Sequence, residues 1–136
     1  MARLKVALVK LSSIGDVVHA LPVAAALRAH RPDAQIVWIV ERREAAILRG
    51  HPALDAIEAV DTRAWRRAHG PAAAMAAARA VLGLRRRLRA AAFDVALDLQ
   101  GLLKSGLLVA GRRAPLRIGF APGAGREPLS ALFTNH

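Results

Sequence analysis

At 136 residues the chain suffices for one domain with a real core, and no second domain of ordinary size fits beside it. Hydrophobic residues make up 54% of it, much of that alanine, which argues against intrinsic disorder, while the absence of cysteine excludes disulfides and thiolate metal sites. The net charge of +11, from 21 Lys and Arg against 10 Asp and Glu, favours anionic partners such as nucleic acid, phosphorylated lipid or a negatively charged membrane surface.

Strand and helix signals alternate along the chain. Leu4 to Leu11 is an apolar, β-branched run suited to a buried parallel strand. Val18 to Arg31 has helical spacing, with Pro22 expected in its early turns, where a missing N–H is tolerated. Arg31-Pro32-Asp33 breaks the pattern and Gln35 to Val40 forms a second strand. A short helix, Glu44 to Arg49, should stop at Gly50. Ala56 to Val60 is the third strand, followed by a basic loop around Trp65.

A long helix is predicted from Pro71 to Ala91, with Val81, Leu84, Leu88 and Ala91 as its apolar stripe and Arg79, Arg86 and Arg89 off it. Phe93 to Leu99 is a fourth strand, Lys104 to Ala110 a short helix, Leu116 to Gly119 a fifth strand and Pro128 to Phe133 a last short helix. Strands separated by helical crossovers imply an α/β fold, a Rossmann-like parallel sheet with helices on both faces. No apolar stretch approaches the roughly 20 residues needed to cross a bilayer, and the amino terminus lacks the features of a signal peptide. A cytoplasmic location is expected.

The chain is organised around Lys10 to His19, which leaves the carboxyl end of the first strand. In open α/β sheets ligands bind at that edge. Gly15 would permit a tight or positive-φ turn and Asp16 would project a carboxylate at the mouth of the crevice. Ser and Asp are also ordinary helix N-caps, so position alone leaves a structural role open.

The motif K-x-S-S-x-G-D-x-x-H-x-L-P, Lys10 to Pro22, resembles the opening of bacterial lipopolysaccharide heptosyltransferases of glycosyltransferase family 9, most closely the heptosyltransferase I branch. Four more segments are similar in family order: Ile36 to Glu41, Asp61 to Arg67, Asp98 to Ser105 and Gly125 to Leu129. The resemblance implies a two-domain GT-B enzyme of which residues 1–136 are an incomplete acceptor-binding domain, with the nucleotide-sugar domain absent and this chain inactive alone. It implies an inverting transfer of heptose from ADP-heptose to the inner Kdo of Kdo2-lipid A, at the cytoplasmic face of the inner membrane, by a peripheral protein.

Asp16 matches the family's catalytic aspartate, which would take the proton of the acceptor hydroxyl. A single displacement needs no second carboxylate, unlike a glycoside hydrolase pair. Ser13, Gly15, His19, Arg63, Arg66, Arg67, Gln100, Gly101, Lys104 and Arg126 are the acceptor-binding positions the resemblance suggests, cationic where the acceptor carries carboxylates and phosphates. For Arg67 a solvated loop charge is an equal reading, and Ala64 stands where relatives often have arginine.

No metal or other cofactor is expected, because no Asp-x-Asp occurs and the five histidines lack ligand spacing. Gly101 to Ser105 is no P-loop, and no G-x-G-x-x-G follows the first strand. Two alternatives remain: another core heptosyltransferase of the same family, or a non-catalytic basic module binding nucleic acid or anionic membrane. Low aromatic content, 4%, and the lack of a nucleic-acid motif count against nucleic acid. The run Arg85 to Arg89 reads first as a solvated helix face.

Overall fold

The structure is a computed structural model that describes residues 3–100 and 116–118. The helices expected at Lys104 to Ala110 and Pro128 to Phe133 lie outside the described residues, as does Gly119.

Five strands, β1 (Lys5–Val9), β2 (Gln35–Glu41), β3 (Ala56–Val60), β4 (Val95–Asp98) and β5 (Leu116–Ile118), form one sheet in the order β3-β2-β1-β4-β5. Every pairing is parallel, with Val6 opposite Ile36 on one side of β1 and Val95 on the other. Helices α1 (Ile14–His30), α2 (Thr62–Arg66) and α3 (Pro71–Ala91), with a 3-10 turn at Ala45–Leu48, lie on the connections from β1 to β4.

The strand alternation divides the core. Val6, Leu8, Ile36, Trp38 and Val40 pack with Val17, Ala20 and Ala24 of α1, whereas Ala7, Val9, Ile39 and Ala96 pack with Leu84 and Leu88 of α3. Successive side chains thus point to opposite faces and each face is covered by a helix. The expected α/β, Rossmann-like parallel sheet with helices on both faces is what the chain forms.

Three local expectations are corrected. Helix α1 begins at Ile14, not Val18, because Ser13 takes an extended conformation as its N-cap. Gly15 is therefore inside the first helical turn, and the positive-φ glycines among the described residues are Gly50 and Gly70. Pro22 consequently falls in the helix interior and not in an early turn; it withholds one i to i−4 hydrogen bond. The third concerns Trp65, which stands on α2 where a loop was expected. There the Asp61 carboxylate accepts from the Ala64 N–H at 2.9 Å and starts the helix.

Candidate functional site

From β1 the chain proceeds to β2 and β3 on one side, then returns to place β4 and β5 on the other. The order therefore reverses between β1 and β4. At such a switch point the two flanking connections part and leave a crevice at the carboxyl ends of the strands. The connection after β1 is Lys10 to Ser13, and the chain after β4 is Leu99-Gln100.

These two segments are tied together. Buried Gln100 directs its Oε1 at the loop, accepting from the Leu11 N–H at 3.0 Å and the Ser12 N–H at 3.4 Å. Asp98, the last residue of β4, accepts the Gln100 N–H at 3.0 Å. Lys10 Nζ donates to the Leu99 carbonyl at 3.0 Å. On the other side of β1 the buried Trp38 indole donates to the Lys10 carbonyl at 3.0 Å. A loop that would otherwise leave buried donors unmet is held from both neighbouring strands.

On that platform stands the first turn of α1. Asp16 is half-buried, and its Oδ2 accepts from the Ser13 N–H at 3.3 Å and the Ser13 hydroxyl at 3.4 Å. The carboxylate thus supports the helix start, where the aligned N–H groups favour negative charge. Gly15 and Ser13 are exposed beside it, and a side chain at Gly15 would meet nothing within 4 Å. His19, one turn further, is also exposed.

The basic residues of α2 lie at the same sheet edge, beyond β2. Arg66 and Arg67 are exposed. Arg63 is turned toward the fold: its guanidinium pairs with buried Glu44 at 3.4 Å. Nearby, buried Glu41 at the end of β2 accepts from the Thr62 N–H at 3.3 Å and from the Thr62 hydroxyl. One oxygen of Glu44 and one nitrogen of Arg63 are buried without a partner among the described residues. Trp65 packs its ring on the α3 side of the core and lines a cavity of about 360 Å³ between α2 and α3, walled by Ala73, Ala76, Ala77 and Ala80.

The structure therefore brings Ser13, Gly15, Asp16 and His19 together at the lip, sets Gln100 beneath them as a support, and distributes Arg63, Arg66 and Arg67 along the same edge. Gly101, Lys104 and Arg126 lie outside the described residues. Lys10, Trp38, Glu44, Thr62 and Asp98 were not singled out as site residues from sequence. For Lys10, Thr62 and Asp98 the signal is a polar residue at or just past the end of an apolar strand run, which becomes informative once the position is buried; Trp38 inside β2 and Glu44 beyond it carry no such signal. Indeed, all six buried polar residues among those described (Lys10, Glu41, Glu44, Thr62, Asp98 and Gln100) stand at the carboxyl end of the sheet. No cluster of three or more His, Asp or Glu suited to a metal occurs among the described residues.

Comparisons with known proteins agree with this geometry. The profile of glycosyltransferase family 9 (heptosyltransferase) matches residues 81–136. Lipopolysaccharide heptosyltransferase 1 of Salmonella typhimurium is 37% identical over 132 residues, 97% of this chain and 41% of that protein. The E. coli heptosyltransferase WaaC solved with ADP superposes with a TM-score of 0.84 at 34% identity, covering 98% of this chain and 41% of that one. Its structure with ADP-2-deoxy-2-fluoro heptose gives 0.84 at 33% identity, over the same shares. The chain thus spans about two fifths of the length of the relatives it matches. Its similarity is to glycosyltransferase family 9, the heptosyltransferases: by profile over residues 81–136, and by sequence and fold over almost its whole length.

Proposed function

We propose that this chain forms the acceptor side of an inverting heptosyltransferase that moves heptose from ADP-heptose to the inner Kdo of Kdo2-lipid A. The observation that carries the reading is a half-buried carboxylate, Asp16, on the first turn of α1 at the switch point, above a rigidly bonded polar platform. The relative solved with a fluorinated ADP-heptose supports the donor class. In this reading a second, nucleotide-sugar domain of GT-B type lies outside the chain, and the protein works in the cytoplasm at the inner membrane, without metal or other cofactor.

The acceptor hydroxyl oxygen attacks the anomeric carbon of the heptose from the face opposite ADP. As that C–O bond forms, the bond to the ADP phosphate oxygen breaks and ADP leaves with the electron pair, inverting the centre. The hydroxyl proton passes to an Asp16 oxygen. Proton transfer accompanies bond formation. Ser13, Gly15 and His19 border the acceptor hydroxyl. Arg66 and Arg67, with Lys104, Arg126 and the Gly101 backbone, receive its carboxylates and phosphates, and Arg63 joins them by exchanging its Glu44 partner for the acceptor. Gln100 holds the loop at their centre.

In the complete enzyme, Asp16→Ala should lower kcat by about 10²- to 10⁴-fold while leaving ADP-heptose affinity near normal. Turnover retained in that variant would remove the base assignment. An assay on Kdo2-lipid A beside its already heptosylated form separates this acceptor from those of other core heptosyltransferases.

A further inference from the structure

Helix α3 carries more charge than its packing explains. It contains five arginines, Arg79, Arg85, Arg86, Arg87 and Arg89, and no acidic residue. Only Arg87 has an ion-pair partner among the described residues, Glu58 at 2.9 Å. Leu84 and Leu88 are buried against the sheet. At about 100° per residue, Met75, Leu82, Arg79, Arg86 and Arg89 all fall within about 40° of the line opposite Leu84. Met75 and Leu82 are 56% and 54% exposed on that outer face, and the three arginines are exposed beside them. The face runs along the outside of the sheet, whereas the candidate site opens at the strand ends.

We propose that the outward face of α3 seats the domain on an anionic lipid bilayer. Met75 and Leu82 enter the headgroup layer while Arg79, Arg86 and Arg89 take lipid phosphates. Charge complementarity selects this occupant. Guanidinium groups on a face without a single carboxylate suit a dense array of phosphates, and the two apolar side chains among them find a low-polarity layer directly below. A second copy of the chain would set three unpaired arginines against three. A nucleic acid would satisfy the arginines and leave Met75 and Leu82 unused. The inference shares with the proposed transfer reaction only the expectation of a membrane, and its test needs neither sugar substrate.

The chain is sedimented with vesicles of phosphatidylcholine alone and of phosphatidylcholine mixed with phosphatidylglycerol. Binding is expected to the mixed vesicles only, and should weaken as salt shortens the screening length from about 10 Å at 0.1 M to about 3 Å at 1 M. Arg86→Glu with Arg89→Glu should lower partitioning about tenfold. Met75→Ser with Leu82→Ser should lower it severalfold at unchanged charge. All four side chains are on the surface, so circular dichroism should show an unaltered fold. Arg31→Glu with Arg49→Glu makes the same change in net charge elsewhere and should have a much smaller effect. Equal loss from the two arginine pairs, or duplex DNA binding insensitive to Met75 and Leu82 in the absence of vesicle binding, would overturn the assignment.

Discussion

The two ends of the sheet solve the same problem in opposite ways. At the amino end, carboxylates close the strand starts while remaining near solvent. Asp94 accepts the Lys5 N–H at 2.9 Å, and Asp55 accepts the Ile36 N–H at 2.7 Å and Arg28 at 2.6 Å. Asp55 also has Arg3 at 3.7 Å. Burial acts to raise the Asp55 pKa, but the Ile36 hydrogen bond and the Arg28 and Arg3 charges outweigh it and hold the carboxyl below its ordinary value. At the carboxyl end the polar groups are buried, and although Glu44 pairs with Arg63, one oxygen of the first and one nitrogen of the second lack a partner among the described residues. Desolvated polar groups cost stability, so their concentration at one end marks the place where something besides folding set the composition.

That contrast can be broken by substitution. Trp38→Ala should be the most damaging, about 3–5 kcal/mol in denaturant unfolding, because it empties a core volume and frees the Lys10 carbonyl. A loss under 1 kcal/mol would mean the β1 loop is not held from β2. Gln100→Leu should cost about 1–3 kcal/mol by leaving the Leu11 N–H unmet. In the proposed heptosyltransferase the same change should lower kcat by about 10²-fold by displacing the loop that leads into the helix turn bearing Asp16, with donor KM little altered. If stability falls and kcat does not, Gln100 is a fold residue only.

The amino end should respond differently. Asp55→Asn is expected to cost about 1 kcal/mol at neutral pH, since the groups are partly solvated, and to leave kcat unchanged. Because the folded-state pKa is lowered, the native carboxylate's advantage is present above its unfolded value of about 3.9 and is lost as pH falls through the folded value. Stability curves of the two proteins should therefore converge in acid; curves that stay parallel would refute the linkage. The smallest effect has the opposite sign. Ala92 closes α3 with φ at +51°, so Ala92→Gly should stabilise by about 0.5–1 kcal/mol in the same unfolding measurement.

Much of this was legible in the residues themselves. The apolar run before Lys10, the third strand Ala56–Val60 and the helix Pro71–Ala91 follow from local periodicity and from proline at a helix start. The motif Lys10 to Pro22 pointed to the strand–turn–helix connection now seen at the switch point. Errors came where short-range signals compete: Ser13 as a cap moved the start of α1 back to Ile14, and with it Gly15 into the helix and Pro22 into its interior.

Alternation of apolar runs with helical spacing settled the class of fold and the face α3 buries, because those depend on neighbours in sequence. Strand order does not. Only the packed sheet decided that β4 lies beside β1, which brings Gln100 to Leu11 across 89 residues and turns Trp38 into a brace for Lys10. The physical reason is that burial and hydrogen-bond satisfaction are properties of the assembled core. The letters Lys, Gln and Asp carry no record of whether water can still reach them.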